Sequence, residues 1–148
     1  MPVNVSVNSH TFQVETSTEL RLALMPFGSE QFRDICLDVG EGAPRLFALL
    51  NGDVGWLMYL RHDEGDAGFS SRNPSFDGAK VGANSPAHMG RFNDTLVPVI
   101  SYQLANGQVD EYPASWALPE QEITRALEYF VEHDGSRAPF VHWHDDGS

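Results

Sequence analysis

Two histidines near the C-terminus have a spacing that could do chemistry. His142 and His144 are two positions apart, so on a β-strand both side chains point to one face while Trp143 points to the other. Imidazole nitrogens bind zinc, but a catalytic zinc site uses three protein ligands. Asp145 and Asp146 follow too closely to supply the third ligand without a bend. Two interpretations therefore stay open: a small metal-dependent hydrolase, or an exposed strand that closes a sheet.

The patterns for other chemistries are weaker. Cys36 is the only cysteine, which excludes a disulfide within the chain and a cysteine-based zinc site. It stands between Ile35 and Leu37 in an alternating segment, which is typical of an unreactive thiol in a half-buried strand. No serine lies in a glycine-flanked nucleophile turn, and the glycine-rich stretch "GAKVGANSPAHMG" lacks the lysine position of a phosphate loop. We expect no catalytic residue, no cofactor and no resident metal.

Acidic residues are concentrated in the short segment "HDEGDAG". Asp63, Glu64 and Asp66 follow an apolar stretch there, and the oxygen atoms of such a cluster could bind calcium. The spacing lacks the alternating ligands and the distal glutamate of an EF-hand loop. An acidic loop in solvent is the simpler interpretation, and such a loop could enter a basic groove on a partner.

The charge balance of the chain restricts its partners. The 148 residues include 21 acidic and 9 basic side chains, for a net charge of −12. Such a chain repels nucleic acid backbones and anionic lipids and is steered toward basic partners, although solubility alone also explains acidic composition. No apolar stretch is long enough to cross a membrane, and the first residues do not resemble a signal peptide, so we expect a cytoplasmic location.

The order of elements predicts an α+β fold in one domain over residues 1–148. Apolar alternation predicts one initial strand within residues 3–14, another strand near residues 35–39, and two hairpins, 46–60 and 96–112. Thr16 and Glu19 form the pattern of a capping box before a short helix, and residues 119–133 show the stripe of a buried helix. We expect a single twisted, mainly antiparallel sheet of about five to seven strands with two helices on one face, and a long loop at about 73–94.

Two segments share their order of motifs with a known family. A strand ending in an aromatic residue and proline is followed by a helix, a glycine turn, a proline and a strand ending in tryptophan. The matching positions are Pro113, Leu118, Pro119, Ala126, Leu127, Phe130, Gly135, Pro139 and Trp143. Upstream, "GWLMYLRHDEGDAGFSS" matches at Tyr59, Gly65, Gly68, Phe69 and Ser71. Over about half of the chain the sequence thus resembles immunity protein family one of bacterial polymorphic toxin systems, with a long insertion between Ser71 and Leu96.

The resemblance implies a non-enzymatic inhibitor. Members of that family neutralise toxin domains delivered between competing bacteria, and several of these toxins resemble nucleic-acid deaminases while others are nucleases. The expected partner is therefore a cognate, basic toxin domain, with no direct contact to nucleic acid or membrane. The residues that we predict to contact it, from the acidic turn and the long loop, are Asp63, Glu64, Asp66, Phe69, Phe76 and Phe92. The alternatives are the metal-dependent hydrolase using His142 and His144, or a scaffold domain with no toxin partner.

Overall fold

The computed structural model describes residues 2–40, 44–62, 65–76 and 86–147. Its helices are α1 (Ser17–Leu24), followed by a 3₁₀ turn at Met25–Phe27, and α2 (Glu120–Glu132), preceded by a 3₁₀ turn at Ala114–Trp116. The strands, in chain order, are β1 (Val3–Val7), β2 (His10–Val14), β3 (Phe32–Asp38), β4 (Arg45–Asn51), β5 (Val54–Leu60), β6 (Phe69–Arg72), β7 (His88–Phe92), β8 (Thr95–Gln103), β9 (Val109–Pro113), β10 (Leu118–Pro119) and β11 (His142–Asp145).

A main sheet and two helices confirm the α+β prediction. Seven strands follow the order β11-β6-β5-β4-β3-β1-β2, all antiparallel, with the two-residue β10 paired to β5. Strand residues such as Leu46, Ala48 and Leu50 are buried with α2 residues Ile123 and Leu127. Both helices pack on this face, which we call the helix face.

A second, three-stranded sheet adds to the single sheet that the sequence predicts. It has the order β7-β8-β9 and covers part of the main sheet's opposite face. Leu49 and Trp56 of the main sheet are buried there against Ile100 and Tyr102 of β8. The apolar composition of both faces of β4 and β5 is explained by this arrangement, because each face is covered by a different layer.

Residues 3–14 form a hairpin rather than the one strand that the sequence predicts. Asn8 and Ser9 have φ angles of 48° and 74°, so they make the turn that reverses β1 into β2. Asparagine tolerates this left-handed region better than most residues, which is the local signal for the turn. Val3, Val5 and Val7 are buried as their alternation predicts.

Local hydrogen bonds fix the start of α1 and the end of α2, whereas α2 begins at Glu120, with Pro119 as its N-cap and not its first helical residue. The Glu19 N–H donates to Thr16 Oγ1 at 3.1 Å, and Glu19 Oε1 accepts from the Glu15 N–H at 2.8 Å, so the capping pair fixes the start of α1. α2 ends at Glu132, and Gly135 at φ 88° donates its N–H to the Phe130 carbonyl at 2.8 Å. Among the described residues, neither helix is long and apolar enough to cross a membrane.

The predicted loop at about 73–94 is shorter than expected. Residues His88–Phe92 form β7, which pairs with β8 through a tight turn at Asn93 and Asp94. Both turn residues have positive φ angles, 50° and 64°. Gly90 and the polar residues His88 and Arg91 interrupt the apolar alternation by which a strand is recognised in the sequence. Residues 77–85 of the predicted loop lie outside the described residues.

Candidate functional site

The predicted contact residues that the structure describes are divided between the two faces of the main sheet. Asp63 and Glu64 lie outside the described residues. Phe69 packs against the core of the helix face, whereas Phe76 packs against the core on the opposite face. Phe92 belongs to β7 of the second sheet, and its ring centroid is 5.0 Å from that of Trp116. The sequence prediction therefore combined residues from both faces of the main sheet.

Asp66 holds the turn between β5 and β6 in place. Its side chain is 3% exposed, and its oxygens accept from the backbone N–H groups of Arg61 at 2.6 Å, Gly68 at 3.0 Å and His62 at 3.3 Å. The Arg61 guanidinium donates at 3.1 Å and, with the backbone donors, holds the pKa of this carboxyl well below its usual range. The Asp66 carboxylate was predicted to contact a partner, but both of its oxygens already accept hydrogen bonds from its own turn.

Two arginines cover Phe69. The guanidinium carbon of Arg137 lies 3.9 Å from the ring centroid, and that of Arg61 lies 4.7 Å away. Contacts of this kind are cation–π interactions, which stabilise the ring in its half-buried position. The ring therefore has a structural role that the sequence motif did not indicate.

The C-terminal histidines are on the exposed face of a sheet edge. β11 pairs with β6, and His142 and His144 are both exposed, while Trp143 packs toward the helix-face core. His144 Nδ1 lies 2.8 Å from Asp146 Oδ1, and the same oxygen accepts from Ser70 Oγ at 3.0 Å. The carboxylate separates the hydroxyl from the imidazole, so this is not the nucleophile–base contact of a hydrolase. Within the described ranges, no group of three histidine, cysteine or acidic side chains could hold a metal.

Cys36 is a poor nucleophile in this setting. Burial first, then the charges of Asp38 and Asp34, raise the pKa of its thiol to about 11, while Arg45 opposes this shift. The thiol therefore stays protonated at neutral pH, and the thiolate is the reactive form. Asp34, Asp38 and Arg45 are the charged groups that act on this thiol.

An apolar groove lies between the two sheets, on the outer face of the main sheet, opposite the helices. Its cavity volume is about 220 Å³, and we call it the inter-sheet groove. The main sheet supplies the floor and Leu104 and Tyr112 supply the wall. The floor residues are Phe47, Leu49, Trp56, Met58 and Leu60. Phe47, Met58 and Leu60 are half-buried, so part of this apolar surface faces solvent.

The register of β3, β4 and β5 explains how the floor forms. Cys36, Phe47 and Met58 are aligned across the three strands, and so are Asp34, Leu49 and Trp56. Neighbours aligned across strands project from the same face of a sheet. These side chains all alternate with residues that point to the helices, so the strand period alone places them outward.

Two carboxylates are fixed at the groove. Asp34 Oδ2 accepts from the backbone N–H of Ala105 at 2.9 Å. Asp110 accepts from Gln108 Nε2 at 2.7 Å and from the Tyr112 hydroxyl at 3.0 Å. Burial and then these contacts to Asp110 raise the pKa of Tyr112 to about 12, so the tyrosine keeps its proton and remains a donor. The groove thus combines an apolar floor with two oriented negative charges.

The arginines of the described chain are mostly engaged in internal contacts. Four of them form ion pairs with carboxylates, and two others lie over aromatic rings. The ion pairs are Arg21–Glu128, Arg33–Glu120, Arg61–Asp66 and Arg72–Asp146, and the stacked residues are Arg125 and Arg137. These arginines are therefore held by contacts within the chain.

Sequence reasoning missed this site for an identifiable reason. The sequence does show that β4 and β5 are apolar on both faces, and that Asp34 and Asp38 alternate with buried residues. It does not show that the β8–β9 hairpin packs across β4 and β5, because that contact joins segments about 50 residues apart. The groove forms only because the β8–β9 hairpin packs against β4 and β5.

No model of a known protein family matches this chain, and a search of curated proteins also finds no match. The resemblance to immunity protein family one therefore stays a prediction from the motifs.

Proposed function

We propose that this chain is an immunity-type inhibitor. It binds a cognate bacterial toxin domain in the cytoplasm and covers the basic surface with which that domain, a deaminase or a nuclease, contacts nucleic acid. The chain itself performs no chemistry. The inter-sheet groove supports this proposal best, because it places an apolar floor beside two fixed carboxylates on a chain of net charge −12.

Charge supports the choice of a basic partner. An enzyme that acts on nucleic acid needs a positive cleft, and opposite net charges raise the association rate of two proteins. Among the described residues, Arg21, Arg33, Arg61 and Arg72 each pair with a carboxylate of the chain, and the net charge of −12 remains to attract a basic partner. Electrostatic steering then gives fast binding at low salt and slower binding at high salt.

The groove supports long residence of the partner. Protein interfaces depend on a few buried anchors that fill pockets, surrounded by polar contacts that exclude water. Phe47 and Met58 offer such an apolar floor, and Asp34 and Asp110 can accept hydrogen bonds from a basic side chain beside it. In this proposal a toxin arginine or lysine next to an apolar residue occupies the groove.

The test uses the product of the gene adjacent to the one encoding this chain. We expect that product to be toxic when expressed alone, to be tolerated when this chain is co-expressed, and to co-purify with it. Met58→Asp, in the groove, should abolish rescue, whereas Leu22→Asp, at a side chain that is 60% exposed on the helix side, should preserve it. Absence of rescue by the unaltered chain, or rescue by both variants alike, would contradict the proposal.

A further inference from the structure

A second cavity, of about 300 Å³, lies on the helix face between the two helices. We call it the helix-side cleft. Its floor is made by Val7, Ile35 and Leu50 of the main sheet, and its walls include Leu24 and Leu127 of the two helices. Its volume is at the lower end of the range for small-molecule sites, and its apolar lining is typical of them.

Arg33 gives the helix-side cleft a polar group. This residue projects from β3 to the same face as Ile35, because the two are two positions apart on a strand. Its side chain is 11% exposed and forms an ion pair with Glu120 at 2.6 Å, and Nη2 donates to the Gly52 carbonyl at 2.6 Å. Its Nε–H is buried and has no acceptor among the described residues. A buried donor without an acceptor is destabilising, so this N–H favours an incoming acceptor atom.

The ion pairs already present at the cleft favour an uncharged ligand. Glu120 already neutralises Arg33, and Glu128 pairs with Arg21, which also lines the cleft, at 3.0 Å. A bound anion would meet these two carboxylates and would lose its hydration in an apolar cavity. A neutral oxygen avoids both costs and still satisfies one N–H.

We infer that the helix-side cleft binds a small, mainly apolar, uncharged molecule with one acceptor oxygen, such as a medium-chain ketone, and that this oxygen accepts from Arg33 Nε. The cleft and the inter-sheet groove are on opposite faces of the main sheet. The inference therefore does not depend on the proposed function.

The test is a titration of the purified chain with 2-octanone, followed by NMR of the Arg33 Nε–H and of the Leu50 methyl groups. We expect saturable shifts at both, with a dissociation constant of roughly 0.1–1 mM for a ligand of this size. Octanoate, the charged analogue, should bind at least about tenfold more weakly. Arg33→Lys keeps the charge but lacks Nε, and should weaken 2-octanone binding about fivefold.

Variants that fill the cavity provide the control. Thr124→Phe from α2, or Leu24→Phe from α1 if the first variant fails to fold, should abolish binding, because both positions line the cleft. Gln121→Phe, at an exposed position of α2 outside the cleft, should leave binding unchanged. Absence of saturable shifts would mean that water alone satisfies the Arg33 donor and would overturn the inference, as would equal binding of octanoate or binding that survives the filled cavity.

Discussion

Neutralising the two groove carboxylates tests the role of the inter-sheet groove in binding. Asp34→Asn with Asp110→Asn removes two negative charges but leaves one acceptor oxygen on each side chain, enough for the bond from Ala105 and for one of the two bonds from Gln108 and Tyr112. The fold of the groove should therefore be preserved. The net charge changes from −12 to −10, since each substitution removes one negative charge.

The expected loss of binding free energy follows from replacing two charged hydrogen-bond acceptors with neutral ones. A hydrogen bond to a charged group contributes about 1–1.5 kcal/mol more than a bond between neutral groups. Two such losses give about 2–3 kcal/mol, which is roughly a 30- to 150-fold increase in the dissociation constant for the toxin domain. We expect most of this change in the dissociation rate, because affinity differences among variants of one interface arise mainly there.

A charge-matched control separates contact from long-range attraction. Glu15→Gln with Glu132→Gln also changes the net charge to −10, at two exposed positions away from the groove. Surface plasmon resonance with a catalytically inactive toxin domain should show slightly slower association for both double variants, but faster dissociation only for the groove variant. Equal dissociation rates for the two double variants would refute the role of the groove.

Three further predictions concern groups with defined environments. Tyr59→Phe removes the hydroxyl that donates to the Gly135 carbonyl at 2.7 Å, and should lower the free energy of unfolding by about 1–2 kcal/mol in urea denaturation; an unchanged midpoint would contradict this bond's contribution. Cys36 should react with iodoacetamide slowly at pH 7.5 and about tenfold faster per pH unit up to pH 10, since its pKa is about 11; rapid labelling at neutral pH would refute the raised pKa. Because the folded-state pKa of Asp66 is lowered, its contribution to stability is present above the unfolded value of 3.8 and is lost as pH falls below it. Asp66→Asn should therefore flatten the loss of stability between pH 4 and pH 2, measured by thermal unfolding, and an unaltered slope would count against the bonds assigned to this carboxylate.

The parts of the fold that the sequence predicted are those with strong local patterns. The buried stripe of α2 includes Ile123, Leu127 and Phe130, all of which are buried in the structure. The "NGD" turn between two apolar runs predicted the β4–β5 hairpin, and Gly52 there has a φ of 63°. These elements form from residues close in sequence, so periodicity and turn chemistry were sufficient.

The candidate site could not be predicted because it depends on packing between distant segments. Tyr112 and Leu104 become a groove wall only when the second sheet covers Leu49 and Trp56. The acidic turn was more conspicuous in the sequence, yet Asp66 directs its carboxylate to backbone N–H groups of its own turn. A cluster of charged residues in a sequence does not show which side chains form hydrogen bonds with the nearby backbone.

The stoichiometry of inhibition tests the central claim most directly. Activity of a fixed amount of the cognate toxin domain on nucleic acid would be measured against increasing amounts of this chain. If the chain acts by covering the toxin's surface, activity should fall linearly to an end point at one inhibitor per toxin, and excess nucleic acid should compete. Complete inactivation at amounts far below one per toxin would show turnover by the chain, and would contradict a mechanism based on binding alone.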